Sequence, residues 1–416
     1  MRLFVVAVMI AVAASMAGCG GGNNSEPPPA NMKAVAGDSS ATVSWDAQSG
    51  MSYWVWIQQG TAIDTRTCTT CRIIAGATSP FIVTGLVNGT TYSITVNAHD
   101  SSGAGGSGSP AVIVVPRLAG GTWTIDPPLG TNRLLAATFT TSNTAGNAEL
   151  VDVGANGAVF WTNDGSTWTP ANSGVTVDLN AVQFRNGLFV AVGDAGTIVT
   201  SPDAVTWTPR TSSTANALFG VQGNGSGQVV AVGANGTILV SSDSVTWAAA
   251  NSKTTNDLHG IGFGNGRYVA VGAHGTVLTS TDGTTWNVIA PVTDSDLQSV
   301  VYGSAAATST TPAVATFVAV GASGTLVTSP DGTSTTWTLR PPITASNLAS
   351  VAYGTQFVTV GAGGTILTSF DGIAWQPADS GTTTNLNGVA FTILTAKSIG
   401  VGYEAVGDAG FNLTSF

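Results

Sequence analysis

Charge is what this chain has least of. Only 8% of its 416 residues are Asp, Glu, Lys or Arg, against about a quarter in an ordinary soluble domain. Ser, Thr, Asn and Gly must cover the surface instead. Basic residues are the scarcer sign, 12 against 22 acidic. The segment 117–416 is the more acidic part, with 8 basic residues against 17 acidic. Such a balance leaves little with which to neutralise phosphates, so charge-driven binding of DNA, RNA or anionic lipid headgroups is disfavoured. Histidine is equally sparse: His99, His259 and His274. No H-x-x-x-H, G-x-S-x-G or P-loop pattern occurs, which removes the usual sequence signs of zinc hydrolases, serine hydrolases and nucleotide binders. Neither a cofactor nor a metal is expected. Cysteine is limited to Cys19, Cys68 and Cys71. One C-x-x-C with no second pair cannot supply four zinc ligands. Outside the cytosol Cys68 and Cys71 read as a disulfide closing a tiny loop; free thiols or a redox pair are the other states this spacing permits. Long apolar runs are also missing, apart from residues 3–14, which are too few to span a bilayer comfortably.

What the chain has instead is glycine, 53 of them, placed in a repeat. The stretch 256–286 shows the unit: a strand (258–263), a Gly/Asn turn, a strand (267–271), a V-G-x-x-G turn, a third strand (276–280) and an Asp-Gly turn ending on Trp286. The runs are short, β-branched or apolar, and bounded by Gly, which marks a β-meander. The first glycines of the V-G-x-x-G turns are Gly154, Gly193, Gly233, Gly272, Gly321, Gly361 and Gly407, spaced by 39, 40, 39, 49, 40 and 46 residues. A period near 40 with one aromatic mark per unit is the signature of a β-propeller of four-stranded blades. The first strands begin at Leu134, Leu179, Leu218, Leu258, Leu297, Leu348 and Leu386, so seven blades are expected.

The aromatic mark occurs only six times downstream of the turns: Asp164/Trp168, Asp203/Trp207, Asp243/Trp247, Asp282/Trp286, Asp331/Trp337 and Asp371/Trp375. The seventh unit ends at Phe416 without one, while Gly121-Thr122-Trp123-Thr124 precedes the first unit. Since a ring must pair its sheet edges, the Trp123 segment is expected to be the outer strand of the last blade. The glycines are read as supplying positive φ and room in the turns. The Asp carboxylates are read as acceptors for backbone N–H groups two residues on, and the tryptophans as filling the space between blades. All are structural on this reading.

The chain begins with a basic residue, Arg2, then the apolar run, then Met16-Ala17-Gly18-Cys19. These residues resemble the lipobox of bacterial lipoproteins. The resemblance implies a signal peptide over 1–18, cleavage before Cys19 and a lipid, including palmitate, on that residue. Ordinary cleavage nearby, leaving a soluble secreted protein, is the alternative. Gly20 stands where an Asp would signal inner-membrane retention in that family, so the outer membrane is the implied address. Residues 19–29 form a tether of Gly and Asn ending in three prolines.

Residues 30–116 read as a small β-sandwich with strands at 32–36, 41–45, 53–58, 81–84, 91–98 and 111–115. Val43-Ser44-Trp45 and Leu86-Val87-Asn88-Gly89-Thr90-Thr91-Tyr92 resemble a fibronectin type III domain. That resemblance makes Trp45 the core tryptophan and Tyr92 the tyrosine of the corner. Residues 117–121 would join this domain to the propeller over 117–416.

The D-G-x-T-W marks resemble the Asp boxes, or BNR repeats, of sialidases. The whole unit, L-x-x-V-x-F followed by V-A-V-G-x-x-G-T-I-L-T-S-x-D-G-x-x-W, is more similar to the photosystem II assembly and stability factor family and its non-photosynthetic bacterial relatives. That likeness implies a seven-bladed scaffold without catalysis. A sialidase would need three converging arginines and a Tyr–Glu pair. Arg133, Arg185, Arg210, Arg267 and Arg340 are instead spread over separate blades, and the acids Glu149 and Glu404 lie in or beside second strands.

Blade connections and V-G-x-x-G turns share one end of a meander propeller. Arg133, Asp178, Asp257 and Asp296 precede first strands, and Asp194, His274 and Asp408 lie in the turns. These seven residues form the candidate binding face, with ordinary solvated loop polarity as the competing explanation. The expected function is a non-enzymatic envelope lipoprotein that binds or assembles a protein complex. A glycan-binding or adhesive surface protein is the alternative, with a sialidase-like hydrolase third.

Overall fold

The computed structural model describes residues 27–100, 106–140, 150–304, 315–394 and 400–415. The chain falls into two units that part between Leu118 and Ala119. Apart from single 3-10 turns, its regular structure among the described residues is β.

The first unit holds a three-stranded sheet (Lys33–Gly37, Ser40–Ser44, Phe81–Thr84) and a four-stranded one (Arg72–Ala77, Ser52–Gln59, Tyr92–His99, Val112–Val114). Period-2 alternation drives the core: Tyr53, Val55 and Ile57 point inward from one strand and meet Val43, Trp45, Val83, Ile94 and Val96. The Tyr92 hydroxyl accepts the Val87 N–H at 3.1 Å, closing the tyrosine corner. Strand Arg72–Ala77 is not expected from the sequence. Its R-I-I-A-G-A run does not alternate, and only Ala77 is fully buried. Cys68 and Cys71, immediately before it, are joined in a disulfide. Arg117 is still held by this unit, its N–H donating to the Gly37 carbonyl.

Among the described residues the second unit contains seven four-stranded antiparallel sheets. The inner strands of blades one to seven are Leu134–Phe139, Leu179–Arg185, Leu218–Gly223, Leu258–Gly264, Leu297–Ser304, Leu348–Tyr353 and Leu386–Leu394. Each packs on the next, and the last packs on the first, so the ring is closed. Every inner strand starts on a Leu that is at most 1% exposed. Blade seven combines Leu386–Leu394, Gly400–Gly407 and Asn412–Ser415 with Thr124–Ile125 as its outer strand. The pairing there is Leu413 with Ile125 and Thr414 with Thr124.

The local geometry of the closing strand repeats that of the other blades, although its parts come from two distant stretches of the chain. In blade four, the Ser280 hydroxyl accepts the Gly283 N–H at 2.8 Å, and the Trp286 indole donates to the Gly283 carbonyl at 2.8 Å. In blade seven, Ser415 accepts the Gly120 N–H at 2.8 Å, and Trp123 donates to the Gly120 carbonyl at 2.9 Å. Ala119, fully buried, stands where the other blades carry the turn Asp. The Gln356 amide fastens it by donating to the Ala119 carbonyl at 2.8 Å. Residues from Ala119 onward are thus propeller rather than linker.

The V-G-x-x-G turns differ from the sequence expectation in one respect. The first glycine is extended (Gly272, φ −170°), and positive φ begins at the residue just before the last glycine, which is Asn, Ala, His or Ser in six blades and Gly363 in one. Gly272 is required for space: a Cβ there would lie 1.9 Å from the Asp257 carbonyl oxygen. The last glycine, Gly275, has both constraints, φ +64° and a Cβ position 1.8 Å from the Thr293 carbonyl oxygen.

In the Asp turns the carboxylate gathers the local donors. That of Asp282 accepts the N–H groups of Thr284 and Thr285 and the Ser280 hydroxyl. The Thr285 and Thr284 backbone bonds hold its carboxyl below the usual range, and the Thr246 N–H does the same for Asp243. Six of the seven blade interfaces are filled by apolar clusters, such as Val190, Val192 and Ile198 of blade two against Leu218, Val221 and Ala231 of blade three. Among the described residues no such cluster fills the interface of blades seven and one.

The tryptophans after these turns do not all sit alike. Trp207, Trp286, Trp337 and Trp375 are buried, each in the cluster that its own blade shares with the blade before it. Trp247 is half-buried and packs against the cluster of blades two and three. Trp168 departs from the expectation that every marker indole fills an apolar seam. It is half-buried and joins no apolar cluster among the described residues. The blade before blade one is the seventh, and among the described residues the interface of those two blades holds no apolar cluster. The indole nitrogens differ too. Those of Trp207 and Trp375 donate to the carbonyl three residues upstream, Ala204 at 2.9 Å and Gly372 at 3.0 Å, as Trp286 does. Those of Trp247 and Trp337 are buried without that bond. The turn before Trp337 is two residues longer, which changes the spacing; nothing in the structure explains Trp247.

Two outcomes follow. Trp123→Ala should cost about 3–5 kcal/mol in denaturant unfolding, as for a buried Trp whose cavity does not collapse; a loss below about 1 kcal/mol would mean that the indole does not hold the seam. The carboxyls of Asp203, Asp243, Asp282, Asp331 and Asp371 are held below the usual range, so their stabilisation is complete above the unfolded carboxyl pKa of about 4 and is lost as pH falls below it. Thermal unfolding across that range should show the loss, and Asp282→Ala should flatten it.

Candidate functional site

The residues before the inner strands do a defined job. The side-chain oxygens of Asp178, Asp257, Asp296, Asn347 and Asn385 accept the N–H of Asn156, Asn235, His274, Ser323 and Gly363 at 2.8–2.9 Å. Each acceptor belongs to one blade and each donor to the turn of the blade before it. The donor is the positive-φ residue of the 3-10 turn, whose N–H the turn itself does not use. The carboxylates are therefore clamps between neighbouring turns, and those of the half-buried Asp257 and Asp296 also contribute negative potential. Ala217 and Arg133 lack an acceptor, so the junctions of blades two with three and seven with one go without this clamp. Arg133 instead pairs with Asp178 at 3.3 Å. Asp194 accepts the Asn180 amide at 2.9 Å, and Asp408 accepts those of Asn385 and Asn387 at 3.0 and 3.1 Å.

Directly inside this circle lies a second one that the sequence did not announce. Blades two to seven have a register shift after the Leu of the inner strand, leaving Asn180, Phe219, His259, Gln298, Ala349 and Asn387 unpaired. Leu135 occupies the same place in blade one. All seven are half-buried. These bulges re-aim the side chain out of the ladder. Asn180, His259 and Asn387 reach the carbonyls of Leu218, Leu297 and Leu134 on the following blade, at 3.0, 3.1 and 2.9 Å. Phe219 and His259 meet edge to face with centroids 5.8 Å apart. The visible sequence signal was the residue after each Leu mark, which changes type from blade to blade while it stays between Leu and a small residue, Ala, Gly or Ser.

The other candidates do not converge. Arg210, Arg340 and Arg267 each bond a Thr of their own blade, Thr200, Thr328 and Thr279. No three arginines share a site among the described residues. Asp164, Asp203, Asp243, Asp282, Asp331 and Asp371 are consumed by their own turns. Of the indoles beside them, Trp207, Trp286, Trp337 and Trp375 are taken up by the blade seams, Trp247 partly so, and Trp168 stands at the seam of blades seven and one without an apolar cluster. Cys19 and Glu149 lie outside the described residues. Glu404 is fully buried in the interface of blades seven and one. A groove of about 510 Å³ runs between the second blade's outer strand and the following connection, lined by Thr197, Ile198, Pro209, Arg210 and Ser212 among others.

These features define an all-β protein with a sandwich followed by a seven-bladed propeller. Residues 27–114 match the fibronectin type III domain. No curated protein matches the chain. Among solved structures it is similar to one described as YCF48 bound to D1 peptide, with 20% identity over 70% of this chain and 94% of that one, at a TM-score of 0.54. It is likewise similar to YCF48 from Cyanidioschyzon merolae, with 18% identity over 71% of this chain and 98% of that one, at a TM-score of 0.54. Likeness at that level concerns the propeller fold.

Asn347 and Asn385 already clamp as amides, so the combined change Asp178→Asn, Asp257→Asn and Asp296→Asn should keep the fold. Each substitution should cost no more than about 0.5 kcal/mol. Unfolding of the triple variant at a markedly lower temperature would show that the clamps need charge.

Proposed function

We propose that this chain is a non-enzymatic lipoprotein of the bacterial envelope whose propeller holds a protein partner, as a binding or assembly scaffold. The carrying observation is the pair of concentric circles at one end of the ring. An outer circle of clamped Asp and Asn surrounds an inner circle of bulge residues that includes the Phe219–His259 pair. Aromatic faces supply contact area with little entropy to lose, and the surrounding carboxylates favour a cationic segment. That a protein sharing the propeller fold has been solved with a peptide bound supports a peptide or protein as the ligand class. The scattered arginines weigh against sialidase chemistry.

The address rests on Met16-Ala17-Gly18-Cys19 and the Pro-ended tether. With Gly20 after the cysteine, the outer membrane is the proposed location. A lipid on Cys19 would keep the scaffold at the membrane while the tether gives it reach.

Capture from a detergent extract of the native envelope, using the full chain as bait, tests the scaffold. One partner or complex should be retained by the wild type and reduced by Phe219→Ala with His259→Ala. The triple Asp→Asn variant should bind more weakly and lose its salt dependence. Retention unaffected by either variant would move the surface to another part of the molecule. Cys19→Ser should abolish lipid incorporation and release the mature protein from membranes; maturation to the parental mass with unchanged membrane fractionation would overturn the anchor.

A further inference from the structure

The interface of blades seven and one departs from the repeat at three facing positions. Asp152, on the second strand of blade one, stands where blades two to five carry Ala191, Ala231, Ala270 and Ala319. Glu404 of blade seven stands where they carry Val190, Val230, Val269 and Val318. Asn412 stands where they carry Ile198, Ile238, Val277 and Leu326. All three are 0% exposed. The Asp152 and Glu404 carboxyls interact with one another across the interface, and the Asn412 carboxamide lies against Glu404. Burial, and for Glu404 also the negative charge of Asp152, push both acids well above the usual carboxyl range. Asp126, which also acts on Glu404, is acidic too. Both oxygens of each acid, and both the oxygen and nitrogen of Asn412, lack a hydrogen bond of full geometry. Thr392, on the same face of blade seven and 0% exposed, is likewise unpaired.

Two states could offset this burial. A proton shared by the acids satisfies one oxygen of each, and the Asn412 nitrogen can donate to Glu404, but the Asn412 oxygen is left unpaired, at about 1–3 kcal/mol. A hard cation takes carboxylate and amide oxygens together, leaving the Asn412 nitrogen free to donate to Glu404. The donors are all oxygen, with no imidazole or thiolate, which suits a hard cation better than zinc or copper. Calcium accepts an irregular oxygen shell, whereas magnesium demands an octahedron and keeps several waters, for which a dry interface offers little space. We infer that Asp152, Glu404 and Asn412 form a calcium site that clasps blade one to blade seven where the ring closes.

The test uses the full chain, stripped with EDTA and then titrated with calcium. Calorimetry should show one equivalent bound at pH 7, with a rise in melting temperature that is smaller at pH 5, where protons compete for the ligands. Asp152→Asn and Glu404→Gln should each weaken calcium at least tenfold. The triple change Asp152→Ala, Glu404→Val and Asn412→Ile restores the residues of the other blades and should melt at one temperature with or without calcium. If that variant fails to fold, the two single variants decide. A wild type that binds no calcium and melts unchanged at both pH values would overturn the site in favour of a shared proton. An equal calcium response in the triple variant would overturn it in favour of a site elsewhere.

Discussion

The whole propeller depends on one pairing between the two ends of its own chain. Six blades complete themselves in sequence order, but the seventh has only three strands until Thr124–Ile125 is laid beside Asn412–Ser415. Without that strand the last sheet keeps a raw edge and the last Trp slot is empty. The pairing is short, so its neighbours carry much of the closure. The Trp123 indole, the Ser415–Gly120 bond and the Gln356 amide on Ala119 all act within a few residues of it. The turn motif of the other blades is thereby assembled from two distant pieces, with Ala119 in place of Asp.

A repeat makes departures from it informative. Where every blade needs the same thing, the residues agree: Leu at the start of the inner strand, Gly where a backbone oxygen lies within 2.2 Å of any Cβ, Asp where two N–H groups need an acceptor. Where blades differ, the position has been released from the fold and can serve something else. The bulge circle is one such place. The interface of blades seven and one is another, and there the exchange of Ala, Val and Ile for Asp, Glu and Asn is coordinated across two blades.

The repeat count, the blade content and the outer strand supplied by Trp123 were legible because each rests on local chemistry repeated at a fixed spacing. The strand Arg72–Ala77 was not, since it lies at a sheet edge and shows no alternation. Positive φ was expected at both glycines of the V-G-x-x-G turn, and it holds for the last but not the first. The first glycine answers to a carbonyl 14 to 25 residues upstream, and nothing local reveals that contact. Trp168 carries the same local mark as Trp207 or Trp375, yet what an indole packs on is decided by the preceding blade, which its own repeat does not encode. The candidate binding residues sit together at one end of the blades, but their engagement as clamps depends on the adjoining blade. The same holds for Glu404, which read as one of two isolated acids until the ring brought Asp152 against it.

The split seventh blade also determines how the protein bears tension. A pull applied through the segment that precedes residue 119 enters the propeller beside its closing strand, whose register spans two residue pairs. With a register of two pairs, the strand by itself offers little resistance to such a load. Before the load arrives there, it meets the Ala119 carbonyl held by Gln356, the Gly120 N–H held by Ser415 and the seated indole of Trp123. These act as strain relief, like the knot tied in a cable where it enters a housing.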